Sequence, residues 1–194
     1  KKNIFNILKK KNKINLKGII SVNLFWNPFD YEKINKIAKK NNLFLIEDAA
    51  QSFGSKYKNK LSGSLGDISC FSFYPTKSLS CYGDGGAIFT NDDDLAHTIR
   101  GIVNHGMYKR YHHDVVGVNS RLDAIQAAVL DAKLPKLDAY NKARQSAAQK
   151  YNAAFKNHDN IITPKTGNGC EPICNKCDCH IFHKYTLKIQ NDDR

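Results

Sequence analysis

The sequence predicts an α/β fold, a mixed and mostly parallel sheet between helices, and three observations predict it. Between residues 18 and 48 a β-branched run, an amphipathic helical stretch and a second apolar run follow one another, the order of a βαβ unit. The runs "GIISVNLF" and "LFLIEDAA" are continuously apolar rather than alternating, which is the pattern of strands covered on both faces. Polar residues recur just after such runs, where open α/β sheets hold their ligands.

The elements follow in order. "NIFNILKK" sets Ile4, Phe5, Ile7 and Leu8 at helical offsets, a short amphipathic helix. Gly18 opens a strand over 18–25. In "NPFDYEKINKIAKKNN" Asp30 caps a helix whose buried stripe is Ile34, Ile37 and Ala38. "LFLIEDAA" is the next strand and ends on a carboxylate. "GDISCFSFYP" (66–75) is a further strand stopped by Pro75, and "GGAIFT" (85–90) is the antiparallel member after a glycine turn. "NDDDLAHTIRGIVNHG" is a helix with acids in its first turn and a basic, glycine-closed end, as the helix dipole prefers. After a loop over 107–118 comes a long alanine-rich helix, which Pro135 kinks or breaks because it lacks an amide donor. Residues 160–180 read as a linker, and "HKYTLKIQ" alternates as the first strand of something new. No internal repeat is present.

A chain of 194 residues buries a sizeable core and fits one domain, or one and part of a second. It starts at Lys1 and stops at "KIQNDDR", which reads as an interrupted strand, so the expectation is a fragment of a longer protein. No apolar run approaches a membrane span and no stretch has the order of a secretory signal. The formal net charge is +12, and residues 1–60 carry most of it, with fourteen lysines against Asp30, Glu32, Glu47 and Asp48. That text is rich in Lys and Asn, lacks arginine and lacks interleaved aromatics, so it reads as a solvated surface rather than a nucleic-acid footprint. The expectation is a cytoplasmic protein that binds neither nucleic acid nor membrane.

Six cysteines without a signal segment point to free thiols in a reducing compartment. Four of them, Cys170, Cys174, Cys177 and Cys179, crowd together just before His180 and His183. Such spacing can hold zinc or iron–sulfur, and the Cys170–Cys174–Cys177 triplet has the spacing of radical enzymes that bind S-adenosylmethionine. Those enzymes resemble one another in carrying the triplet early, at the start of a parallel-barrel pattern, whereas here it comes late. The reading adopted is incidental thiols in a connector and no metal, with a structural zinc site as the alternative.

Three strand ends carry polar residues: Asp48 and Gln51 after "FLIE", Ser72 and Lys77 around "FSFYP", and Asn119 and Arg121 after "VVGV". A carboxylate deep at a strand end needs a cation or several donors, and a protonated ring nitrogen is such a partner. A lysine in a cramped, glycine-lined turn has its ammonium form disfavoured, which frees the amine as a nucleophile. An Asp and a Lys on adjacent strand ends therefore suit pyridoxal 5'-phosphate. Taken singly each has an ordinary reading: a surface lysine, a helix-capping aspartate, a buried serine bonded to backbone.

The flanking text is more specific. "EDAAQSFGSKYKNKLSGSLGDISCFSFYPTKSLSCYGDGGAIFTNDDDLAHTIRGIVNHG", followed by "VGVNSRLDAIQAAVLDAKLPKLDAY", resembles the DegT/DnrJ/EryC1/StrS family of nucleotide-sugar aminotransferases from Gly18 to about Phe155. "HIFHKYTLKI" is similar to the strand that follows the connector in that family. The resemblance implies an aspartate-aminotransferase-like fold: residues 1–156 as part of a large cofactor-binding domain, 157–180 as a connector, and 181–194 as the start of a small C-terminal α+β domain. It implies pyridoxal phosphate as cofactor, with Lys77 as the imine-forming lysine and proton carrier and Asp48 on the pyridinium nitrogen. Gln51 would lie against the ring and its phenolic oxygen, Ser72 would donate to the phosphate, and Asn119 would reach the phosphate of a neighbouring subunit in a homodimer. His180 and His183 fall where the family's strand approaches the sugar nucleotide.

Lysine at position 77 marks the transferase branch, since relatives with histidine there look like sugar dehydratases. The implied reaction moves an amino group, from glutamate, to a keto carbon of a nucleotide-linked sugar for glycan assembly. "CYGDGG" at 81–86 resembles members acting at C3 of UDP-linked acetamido sugars or uronates; the alternatives are a C4 aminotransferase of the family, or a non-catalytic basic fragment with a Cys-rich zinc site. Trp26, Asn27 and Lys184 depart from the family text. Family members are longer, and the portion expected beyond this chain leads to an expectation of exposed apolar sheet edges.

Overall fold

The structure is a computed structural model that describes residues 15–26, 30–164 and 180–190. The helix expected around Ile4–Leu8 and the cluster Cys170, Cys174, Cys177 and Cys179 lie outside the described residues.

The centre is a four-stranded sheet. Strand β1 (Gly18–Val22) leads through helix α1 (Tyr31–Lys40) to β2 (Phe44–Asp48), which lies parallel to β1 from Gly18↔Phe44 to Val22↔Asp48. This is the βαβ unit read from the sequence. The first strand is shorter than expected, because the chain leaves it into a 3₁₀ turn at Leu24–Trp26. Asp30 caps α1 as expected, accepting from the Lys33 amide at 3.3 Å. Its buried face is anchored by Tyr31 and Ala38, and Tyr31 packs with Leu45, Tyr57 and Leu65.

A two-stranded hairpin, β3 (Lys56–Tyr57) and β4 (Lys60–Leu61), precedes β5 (Ile68–Ser72), and β6 (Gly86–Phe89) follows. Strand β5 runs parallel to β2, with Asp48 opposite Cys70, and β6 runs antiparallel to β5, with Ser72 opposite Gly86. The order is β1-β2-β5-β6, mixed and mostly parallel.

Alternation along these strands separates two faces. One carries Ser21, Leu45, Glu47, Ser69 and Phe71, all buried. Phe71 continues into a core with Ala49, Phe73, Leu79, Cys81, Leu130 and Leu137. The other face carries Ile20, Asp48, Cys70, Ser72 and Ile88. Here the structure departs from the expectation of a sheet covered on both sides: Ile20 is 66% exposed and Ile88 47%. Within the described residues helix α2 (Asp93–Val103) borders this face, and its Ile99 and Val103 line one cleft with Cys70 and Ile88.

Asp92 caps α2 through the Leu95 amide at 3.0 Å. The helix closes at Gly106, whose φ of +73° lets its amide reach back to the Gly101 carbonyl at 2.8 Å. A Cβ there would lie 1.7 Å from the Val115 carbonyl oxygen. Strands β7 (Met107–Lys109) and β8 (His112–His113) form a small hairpin inside the expected loop. Pro135 interrupts the long helix as expected: α3 (Ala124–Lys133) passes through a 3₁₀ turn at Leu134–Lys136 into α4 (Leu137–Phe155).

The last described segment docks on α4. Gln145 Nε2 donates to the His180 carbonyl at 3.1 Å, Tyr185 donates to Asn152 at 2.6 Å, and Ile181 is buried. The strand expected over 183–190 contracts to β10 (Lys188–Ile189), paired antiparallel with β9 (Ile161–Ile162).

Candidate active site

The parallel register sets the site. Asp48 is the last residue of β2 and faces the open side, with Cys70 its partner on β5 and Ser72 two residues farther along the same face. Asp48 Oδ1 accepts from the Ala50 amide at 3.1 Å, a local turn that holds the carboxylate at the strand end. Burial, followed by the negative charge of Asp48, pushes the Cys70 thiol up from its ordinary pKa.

After β5 the chain folds back at Pro75. The Lys77 amide donates to the Tyr74 carbonyl at 2.8 Å, and Ser72 Oγ accepts from the Tyr74 amide at 3.3 Å. Two further bonds close the loop, Phe73 amide to Gly85 carbonyl at 2.7 Å and Cys81 amide to Phe73 carbonyl at 2.9 Å. Lys77 thereby stands on a pinned turn beside a cleft of about 1000 Å³ whose lining includes Ser72, Lys77, Gly86, Arg100, Asn119 and Arg121. Gly86 forms part of its floor. A Cβ at this position would meet the Phe71 carbonyl oxygen at 2.8 Å. Arg121 Nε donates to Asn119 Oδ1 at 3.2 Å, so the Asn119 amide nitrogen is the end left for an acceptor.

The structure thus gathers Ser72, Lys77 and Asn119 along one cleft, with Asp48 on the same sheet face and linked to the lining through Cys70. Gln51, three residues after Asp48, is like Asp48 not itself a lining residue; its Oε1 accepts from the Phe25 amide at 3.1 Å. The two histidines divide. His183 lies within electrostatic reach of Lys77; burial, and then the positive charges of Arg144, Lys77 and Lys184, bring its pKa down to about 4. His180 is buried, stacks on Phe182 with ring centroids 4.0 Å apart, and accepts from the Phe182 amide at Nδ1 (3.0 Å). Burial also brings its pKa down to about 4, opposed by a hydrogen bond to the Phe25 backbone. Among the described residues no group of three or more His, Cys, Asp or Glu side chains is placed to hold a metal ion.

Sequence reasoning missed Glu47. Its carboxylate is fully buried on the covered face, one residue from Asp48. Oε1 accepts from Asn23 Nδ2 at 2.9 Å and Ser62 Oγ at 2.7 Å; Oε2 accepts from the amides of Gly63 (3.0 Å) and Leu65 (3.1 Å) and from Ser69 Oγ (3.0 Å). These five donors are neutral, so dipoles rather than a counter-charge hold it. The signal was a glutamate on the inward phase of an apolar strand, where a side chain of that type has to be caged.

The DegT/DnrJ/EryC1/StrS aminotransferase family profile matches residues 4–194. The UDP-2-acetamido-2-deoxy-3-oxo-D-glucuronate aminotransferase of Pseudomonas aeruginosa is 46% identical over 178 residues, 90% of this chain and 46% of that protein. The dTDP-3-amino-3,6-dideoxy-alpha-D-galactopyranose transaminase of Aneurinibacillus thermoaerophilus is 48% identical over 192 residues, 97% of this chain and 50% of that protein. A crystal structure of a DegT DnrJ EryC1 StrS aminotransferase from Brucella abortus superposes with a TM-score of 0.84 at 40% identity, covering 96% of this chain and 48% of that one. The chain spans about half the length of the relatives it matches.

Aminotransferases of that family use pyridoxal phosphate. The residues here fit that group: an amine on a pinned turn, a carboxylate and a hydroxyl on one sheet face, and two arginines among the lining residues.

Proposed function

Since the chain belongs to the DegT/DnrJ/EryC1/StrS aminotransferase family, we propose that the protein moves an amino group from an amino-acid donor, glutamate, onto a keto carbon of a nucleotide-linked sugar. The observation that carries this reading is a single amine, Lys77, in a cleft bounded by Ser72 and Gly86 on the sheet face that bears Asp48. Pyridoxal phosphate, when bound, supplies the electron sink that makes a proton on the amino-bearing carbon removable.

The chain's own residues account for the rest. Lys77 Nζ takes that proton from the donor carbon and returns one to the carbon that receives the amine. The Asp48 carboxylate holds the proton on the cofactor's ring nitrogen, and Ser72 Oγ donates to its phosphate. Arg100 and Arg121 bring positive charge for phosphate groups of cofactor or sugar nucleotide. His183, kept neutral by burial and by the cations beside it, stands on the segment assigned to the sugar nucleotide.

The amination is assigned to C3 of a UDP-linked acetamido sugar or uronate. The names of both relatives support position C3, the name of the first supports a UDP-linked acetamido uronate, and the segment Cys81–Gly86 agrees with this branch. The protein works as a homodimer in which Asn119 serves the neighbouring subunit's phosphate. Exposed apolar side chains support such a contact: Val116 at 96%, three residues before Asn119, and Ile125 and Tyr82, each at 76%. Residues 1–156 belong to its cofactor-holding domain and residues after 180 to the small one. The reaction runs in the cytoplasm, which the free thiols of Cys70 and Cys81 support.

The test is transfer by the full-length protein, with pyridoxal phosphate, glutamate and UDP-linked 3-keto sugars. A 3-amino product, ping-pong kinetics and loss of both in Lys77→Ala are expected. Amination at C4, or no transfer to any keto sugar, overturns the reading.

A further inference from the structure

The buried network around Glu47 leads to one side chain of the proposed site. Asn23, whose Nδ2 donates to Glu47, is held on every side: its own amide donates to the Asp48 carbonyl at 3.0 Å, and its Oδ1 accepts from Tyr31 at 2.9 Å. Nδ2 also lies 3.1 Å from both Ser52 Oγ and Ser62 Oγ. Two residues on, Phe25 adopts φ +55° and ψ +31°, a left-handed conformation that a residue with a Cβ resists. Asn23 anchors the chain before that residue, and His180 contacts its backbone. In this conformation the Phe25 amide meets Gln51 Oε1 at 3.1 Å.

An N–H can be met only by the oxygen end of an amide. The Phe25 amide therefore decides the orientation of Gln51: Oε1 is committed to the turn, and Nε2 with its two hydrogens is the end left for a bound molecule. We propose that Glu47 is a positioning residue which, through Asn23 and the left-handed Phe25, fixes the Gln51 amide so that it offers a donor and not an acceptor to the phenolic oxygen of the cofactor. This rests on the function proposed above. Glu47 itself faces the opposite side of the sheet from the cofactor cleft, so its influence passes through the turn.

The experiment uses the full-length protein loaded with pyridoxal phosphate and reads the ratio of the two absorbance bands of the bound cofactor, which report where the phenolic proton sits, together with the cofactor Kd. Glu47→Gln, Gln51→Ala and the double variant form a cycle, and Tyr31→Phe trims the same cage more gently should Glu47→Gln fail to fold. A freed amide rotates, so Glu47→Gln shifts the band ratio and raises the Kd about tenfold. Tyr31→Phe shifts the ratio in the same direction by less, and Glu47→Gln has no further effect once Gln51 is alanine. If the variants lower the melting temperature but keep the wild-type band ratio, or if the effects on Kd multiply in the double variant, Glu47 is structural and the inference is overturned. A wild type that binds no cofactor overturns the function and this inference together; one that binds it while Glu47→Gln and Tyr31→Phe keep its spectrum overturns this inference alone.

Discussion

Asp48 and Ser72 occupy one face of the central sheet, joined through Cys70, which pairs with Asp48 across β2 and β5 and precedes Ser72 by two residues. One strand spacing and two residues of rise put their Cα atoms about 8 Å apart. That is the scale of a small aromatic ring bearing a phosphate arm, with a carboxylate at one end and a hydroxyl at the other.

Asp48→Asn keeps the size of the side chain and removes its charge. A charge-assisted hydrogen bond contributes roughly 1.5–3 kcal/mol, so the cofactor Kd of the full-length protein should rise about 10- to 100-fold. Titration with pyridoxal phosphate, followed by absorbance, measures it, and an unchanged Kd would remove Asp48 from the site.

Gly86→Ala should be costly where Gly83→Ala is mild. At Gly86 the added Cβ meets the Phe71 carbonyl oxygen at 2.8 Å, a backbone atom inside the β5–β6 ladder; at Gly83 it meets the end of the Gln126 side chain at 3.1 Å. Denaturant melts should give a loss of about 1–3 kcal/mol for the first and under about 0.5 kcal/mol for the second.

Removing one donor from the Glu47 cage tests its energetics. Ser69→Ala leaves a buried carboxylate oxygen one hydrogen bond short and should destabilise by about 1–3 kcal/mol. Ser64→Ala removes an exposed hydroxyl that bonds only the Leu61 carbonyl in the described contacts and should stay within about 0.5 kcal/mol.

Acid should destabilise the fold through His180 and His183. Both have folded-state pKa values near 4, below the ordinary 6.5, so the unfolded chain binds protons first as pH falls. Their contribution is complete above pH 6.5 and is lost progressively down to about pH 4. For buried His180 the loss is at most roughly 3 kcal/mol. Melting temperatures over this range should fall less in His180→Phe than in wild type, and parallel curves would refute the assignment.

Much of this was legible in the sequence, for reasons that differ by residue. Lys77 and Ser72 stood out because a strand, a proline turn and a glycine pair fix their surroundings locally. The βαβ unit was legible because its register is local too. Glu47 was not, because its donors come from residues 23, 62, 63, 65 and 69, which only the folded turn around β4 and β5 brings together. Continuous apolarity also concealed which face of the sheet is open, since Ile20 and Leu45 read alike while one is 66% exposed and the other 1%. The strand expected after His183 contracted for a related reason: its partner, Ile161–Ile162, supplies only two residues for pairing.

The neighbouring carboxylates of β2 bear on how the chain finds its register. Strand side chains alternate with period two, so a slip of one residue would turn Asp48 toward the five donors and Glu47 toward the open cleft. Aspartate is one methylene too short to span from the strand to Gly63, Leu65 and Ser69 as Glu47 does, and the mispaired chain would bury donors and a charge without partners. The cage therefore selects the register: the parallel pairing that satisfies Glu47 is also the one that sets Asp48 on the open face, and a one-residue slip would lose both.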